Sequence, residues 1–160
     1  MLYIISTLKR ENNPEFKSLN LVRIGTCGIL HREIPVHSYI LSTHAYGLDN
    51  VAHFYEIDFT EEEKALNKEI SNYIGLPDGV NTYITKGSKG LFDKLDSDET
   101  ENGITVTSSG FYGPQGRQLL LKNRTSELND KLTSFNHWDY RITNFEMESS
   151  ALFSLGKALG

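Results

Sequence analysis

The chain has 160 residues, 38% of them hydrophobic and 23% charged, with a net charge of −5. That suits a single soluble domain, 1–160, with a core of its own, and the scattered acids argue against a nucleic-acid backbone as partner. Cys27 is the only cysteine, which excludes an intrachain disulfide and a cysteine-based metal cluster; no apolar run is long enough for a bilayer and no signal peptide leads the chain, so a cytoplasmic location is expected.

Leu2, Ile5 and Leu8 can share a helix face over residues 1–10, with Lys9 and Arg10 at the end that favours cations. It reads as the end of a helix whose beginning is absent, and Asn12-Asn13-Pro14 breaks it. Leu19 to Ile24 reads as a short buried strand running into Arg23-Ile24-Gly25-Thr26-Cys27-Gly28. Glycines after a strand let backbone N–H groups approach an anion, and Arg23 and the Thr26 hydroxyl add donors that phosphate prefers. The same residues would also serve a tight turn that needs positive φ. Cys27 reads as a small buried apolar residue.

Ile34 to Thr43 reads as a strand with a loop-like or edge start at Pro35. His31, His37, His44 and His53 have no metal-ligand spacing and read as surface or loop residues. Gly47 to Phe59 mixes aromatics and acids without a period, as a functional loop or a subunit contact would. A helix is expected over Thr60 to Ile74: Thr60 and Glu63 form a capping box, Leu66, Ile70, Tyr73 and Ile74 give the apolar face, and Gly75 and Pro77 end it. Val80 to Thr85 follows as a strand, Gly90 to Leu95 as a helical turn, and Asp96 to Asn102 as an acidic loop.

Ile104 to Thr107 is β-branched throughout and reads as a buried strand. It breaks at Gly110 into a turn with Gly113, Pro114 and Gly116. A strand that delivers Phe111, Gln115 and Arg117 from its carboxyl end is how open α/β sheets build ligand sites. Phe111 offers a stacking face, Gln115 an acceptor and two donors, and Arg117 a planar fork, a set that can read a flat heterocycle such as uracil. A solvated loop with a surface arginine would contain the same residues. A helix over Ser126 to Phe135 comes next, with Leu128 and Leu132 on one face. Ile142 to Phe145 can end a strand and Glu148 to Leu159 can form a helix. At their junction Glu146 and Glu148 can accept from sugar hydroxyls and Met147 can pack on a sugar ring; acids at a helix N-terminus also suit the dipole unaided. Strands alternating with helices give an α/β fold, a mixed central β-sheet flanked by helices.

Three stretches, Arg23 to Gly28, Ser108 to Arg117 and Asn144 to Ala151, resemble the nucleoside phosphorylase-I family in order and spacing, and its uridine phosphorylase branch most. The resemblance spans roughly Leu19 to Leu159 and implies a three-layer sandwich that performs phosphorolysis: uridine plus phosphate gives uracil plus ribose 1-phosphate. It implies phosphate contacts from Arg23, Gly25 and Thr26. Ribose contacts would come from Thr26, Glu146, Met147 and Glu148, and base contacts from Phe111, Gln115 and Arg117, with Glu148 and Arg117 acting on the reacting bond. It implies phosphate as co-substrate, no metal or organic cofactor, no nucleic-acid or membrane partner, and a homo-oligomer, dimer or hexamer. The family's glycine-rich phosphate loop before Arg23 and the elements after the last helix have no counterpart, so the chain is expected to be a central fragment, truncated at both ends. A non-catalytic nucleoside-binding module or subunit is the alternative expectation.

Overall fold

A computed structural model describes residues 19–160; the helix expected over residues 1–10 and its break lie outside the described residues. Among the described residues the strands are β1 (Gly28–Ile29), β2 (Tyr39–Gly47), β3 (Tyr83–Lys86), β4 (Thr100–Thr107), β5 (Asn136–His137) and β6 (Tyr140–Glu146). The helices are α1 (Glu61–Ile74), α2 (Lys89–Leu95), α3 (Leu128–Ser134) and α4 (Ser149–Leu159). Single 3₁₀ turns stand at Val51–Phe54 and Gly113–Gln115. The sheet runs β1-β6-β4-β2-β3, with β5 paired to β6 off that path. Strands β2, β4 and β6 are parallel, whereas β1 pairs antiparallel with β6 and β3 with β2. This is the expected mixed α/β sandwich.

The α1 helix forms where its caps say it should. Thr60 Oγ1 accepts from the Glu63 N–H at 3.2 Å, and Glu63 Oε2 accepts from the Thr60 N–H at 2.7 Å. At the other end Gly75 takes φ +65°, which a glycine adopts without strain, and its N–H donates to Ser71 O. Thr60→Ala should therefore cost about 1 kcal/mol of stability, read as a lower urea midpoint at an unchanged slope; an unchanged midpoint would remove the cap from the account.

Alternation along the strands makes the two sheet faces chemically different. One face presents Tyr46, Ile84, Ile104, Val106, Ile142 and Phe145, closed over by Leu66, Ile70 and Ile74 of α1 and by Leu128 and Leu132 of α3. The other presents small and polar residues: Ala45, Gly47, Thr85, Thr105, Thr107 and Asn144, with Ser150 and Ser154 of α4 buried against that side. Buried polar groups there pair with one another in part: the Thr105 hydroxyl donates to Asn144 Oδ1 at 2.9 Å, and so does the Thr143 hydroxyl, at 2.9 Å, whereas the buried Thr85 hydroxyl has no hydrogen-bond partner among the described residues.

Four expectations are corrected. Leu19 to Ile24 is not a strand: only Gly28–Ile29 reaches β6, and with no strand alongside, the upstream apolar residues stay outside the sheet, Ile24 being 92% exposed. Cys27 is exposed, not buried, since it sits on that same peripheral segment. The acidic loop is shorter, because Thr100, Glu101 and Asn102 pair with Tyr39, Ile40 and Leu41 and so extend β4. His44 is in a strand and only 2% exposed, facing Tyr140 edge-on at 5.2 Å between ring centres. His31 stands in a loop, as expected, half-buried with one ring nitrogen 2.7 Å from Ile142 O.

Burial holds the His44 pKa down to about 4, helped by Lys86 and opposed by the Glu62 and Glu63 carboxylates; Tyr140 completes its surroundings. The unfolded chain would bind that proton near pH 6.5, so between about 6.5 and 4 it binds more protons than the folded chain. Stability should thus fall as pH is lowered through that window, and His44→Gln should flatten that part of the melting-temperature profile. Parallel profiles for parent and variant would contradict this.

Candidate functional site

The parallel strands β2, β4 and β6 all point their carboxyl ends to one edge, where Gly47, Thr107 and Glu146 stand in neighbouring register. The antiparallel strands begin at that edge: Gly28 pairs with Phe145 and Tyr83 with Gly47. Every segment singled out by its chemistry therefore meets there: the approach to β1, the loop after β4 and the turn after β6.

Arg23 folds back over Gly25 so closely that a Cβ on that glycine would lie 2.8 Å from a guanidinium nitrogen. The fork then meets two carboxylates: Nη2 donates to Glu148 Oε2, and Nη1 lies 3.6 Å from Glu146 Oε2. Thr26 is exposed beside it. Glu146 is buried and engaged on both oxygens. Oε1 accepts from the Thr107 hydroxyl, and Oε2 accepts from the N–H groups of Glu148 at 2.8 Å and Ser149 at 2.7 Å. It thereby caps α4 with its own carboxylate, satisfying donors a helix start leaves open. Glu148 keeps a half-exposed side chain and Met147 is exposed.

The loop after β4 brings its three expected residues together. Arg117 Nη1 donates to Gln115 Oε1 at 2.7 Å and to Phe111 O at 2.8 Å, and the guanidinium carbon lies 3.9 Å from the centre of the Phe111 ring. Gln115 is 5% exposed, so its amide is fixed by this contact rather than by solvent. The Gly116 that follows takes φ +71°, which the turn requires. Arg117 Nη2 lies 3.8 Å from where a Cβ would stand on Gly28, so the β1 glycine separates this cluster from the Arg23 cluster.

Two cavities flank the clusters. One of about 690 Å³ has Arg117 and Tyr112 in its wall together with Leu48, Leu76 and Leu128; the other, of about 570 Å³, has Arg23 and Ser149 in its wall. Neither contains Glu148, Met147, Gln115 or Phe111. Among the described residues no three His, Cys, Asp or Glu side chains converge as a metal site, and no described helix is long and apolar enough to cross a membrane. The Cys27 thiol is pushed up by partial desolvation, against the pull of a hydrogen bond from Asn144.

Sequence reasoning missed Asp49, Tyr83, Thr107 and Ser150, which sit behind the Glu146 carboxylate. The available signal was position: Asp49 follows β2 directly at the carboxyl edge of the sheet.

A sequence profile of the Phosphorylase superfamily matches residues 11–160. The chain is 29% identical over 140 residues to a protein of Haemophilus influenzae named uridine phosphorylase, covering 87% of this chain and 48% of that one. Its fold is similar to that of a Trypanosoma brucei nucleoside phosphorylase whose structure is described as showing uridine phosphorylase activity. There the TM-score is 0.69 at 24% identity, over 85% of this chain and 49% of that one. The chain thus spans about half the length of the relatives it matches.

Proposed function

The chain belongs to the phosphorylase superfamily, and from that premise we propose that it carries the nucleoside and phosphate contacts of a uridine phosphorylase. In this reading Phe111, Gln115 and Arg117 hold uracil, Met147, Glu148 and Thr26 hold the ribose, and Arg23, Gly25 and Thr26 receive phosphate. Glu146 serves the sugar indirectly, by holding the turn that carries Met147 and Glu148. The observation that carries the reading is the Arg117–Gln115–Phe111 cluster at the same sheet edge as the Arg23–Glu148 pair.

The chemistry follows from charge. As the glycosidic bond breaks, its electron pair leaves with the base, and positive charge builds on the ribose while a phosphate oxygen bonds to the anomeric carbon. The Glu148 carboxylate and the phosphate stabilise the ribose; donors from Arg117 and the Gln115 amide stabilise the departing uracil, which then takes up a proton. Gln115 Oε1 accepts from Arg117 and has a second lone pair for a ring N–H. This reaction calls for phosphate as co-substrate and for no metal or organic cofactor. A homo-oligomer, dimer or hexamer, in the cytoplasm belongs to the same proposal, with the exposed Phe54 and Tyr55 at a contact between copies.

The test is phosphate-dependent release of uracil from uridine by the purified chain, followed by chromatography. Release that requires phosphate supports turnover. Uridine binding without release favours a nucleoside-binding module, a second reading motivated by the Arg23 fork being occupied by Glu146 and Glu148. Neither binding nor release would overturn both.

A further inference from the structure

One carboxylate at the carboxyl edge of the sheet is assigned no substrate contact. Asp49 follows β2, where the Leu48 N–H donates to Thr107 O at 2.8 Å and ties the end of β2 to the end of β4. Its Oδ1 accepts from the Tyr83 hydroxyl at 2.5 Å and from the Val51 N–H at 3.1 Å. Its Oδ2 accepts from the Ser150 hydroxyl at 2.6 Å. Burial and the Asp49 contact both push the Tyr83 pKa up, so the phenol stays a donor and Asp49 the acceptor. Tyr83 is itself pinned over Gly47, where a Cβ would come within 2.4 Å of its ring.

From Ser150 the chain of contacts leads to the site. The Ser150 N–H donates to Thr107 Oγ1 at 2.9 Å, the Thr107 hydroxyl donates to Glu146 Oε1, and Glu146 Oε2 holds the N–H groups of Glu148 and Ser149 and faces Arg23. Ser150 and Thr107 are fully buried, so the links from Ser150 through Thr107 to Glu146 are desolvated and have one geometry, while Asp49 at the start of the chain of contacts is half-buried.

Resting on the phosphorylase reading, we propose that Asp49 is a positioning residue: through Ser150, Thr107 and Glu146 it fixes the first turn of α4 and so aims Glu148 and Arg23. It touches no substrate. An amide in its place would offer one acceptor oxygen and two donors where Tyr83, Ser150 and the Val51 N–H all need an acceptor.

The test uses the full chain and two readouts. Amide exchange followed by NMR should show protection at Glu148 and Ser149 falling roughly tenfold in Asp49→Asn, the scale of one buried hydrogen bond, while Leu66 and Ile70 of α1 keep theirs. Unchanged protection at the α4 turn overturns the proposal whether or not the chain turns uridine over. In turnover, Asp49→Asn should lower kcat roughly 10–100-fold, as loss of orienting groups does elsewhere, with the uridine KM little changed. In a Glu148→Gln background the same substitution should cost clearly less, because the part that acts through Glu148 is already lost and only the aiming of Arg23 remains; an equal loss in both backgrounds overturns the proposal. Ser150→Ala, which removes the hydroxyl but keeps the N–H to Thr107, should move exchange and kcat the same way and serves if Asp49→Asn does not fold. A parent that releases no uracil refutes the phosphorylase reading, and the exchange measurement then decides the positioning network alone.

Discussion

Arg117→Ala should weaken uridine binding by about 1.5–3 kcal/mol, the range for losing a hydrogen bond to a charged group, Arg117 and Phe111 being exposed in the free chain. The loss exceeds that of one neutral hydrogen bond because the guanidinium has three tasks. It donates to Gln115 Oε1, donates to Phe111 O and lies on the Phe111 ring. Without it the Gln115 amide, 5% exposed, loses the partner that orients it, and Phe111 loses the cation that holds its face. Arg117→Lys should not rescue, since an ammonium cannot both span Gln115 and Phe111 and stack flat on a ring. The measurement is calorimetric titration with uridine and inosine. The parent should prefer uridine and the variant should lose that preference. Equal binding of the two nucleosides by the parent would rule out the base assignment.

What was legible in the sequence was whatever local chemistry decides. The α1 helix was readable to the residue because a capping box and a C-terminal glycine are contiguous signals. The β4 loop was readable because Phe111, Gln115 and Arg117 stand within one turn and needed only that turn to meet. The Leu19 to Ile24 stretch is not legible in this way, because its apolar residues Leu19, Leu21, Val22 and Ile24 state a preference for burial but not the presence of a neighbour, and only Gly28–Ile29 finds one. His44 was misread for a related reason. Its environment is made by Tyr140, Lys86 and α1, none of them near it in sequence.

The site divides along the same line. The Arg23 and Glu148 segments were each recognisable, but their pairing joins residues 125 positions apart. The Asp49–Ser150 contact spans 101 positions and Ser150–Thr107 spans 43. No periodicity or motif carries such distances, because register between parallel strands sets them. The Glu146 side chain illustrates the consequence. Its residue type suggests a sugar contact, and only the fold shows that its oxygens also accept from the Thr107 hydroxyl and from the first N–H groups of α4.

Glu148→Gln should have opposite effects on turnover and on phosphate binding, and the sign of the second follows from the structure. The Arg23 fork that would receive phosphate already donates to Glu148 and faces Glu146. An incoming dianion therefore competes with a carboxylate for the same donors. Gln keeps the size of Glu148 but removes its charge, so phosphate should bind somewhat more tightly in the variant. The side chains are 31% and 56% exposed, so screening keeps the gain within about 1 kcal/mol and shrinks it further at high salt. Turnover should move the other way, by on the order of 10²–10³-fold in kcat, the scale for removing one preorganised charge-stabilising group. The uridine KM should change far less, since the carboxylate matters most where ribose charge has developed. Phosphate titration at two ionic strengths and steady-state kinetics read the two effects separately. A variant with the parent's kcat would remove Glu148 from the reacting centre, and one that binds phosphate more weakly would show that the Arg23–Glu148 pair helps to hold the anion rather than competing with it.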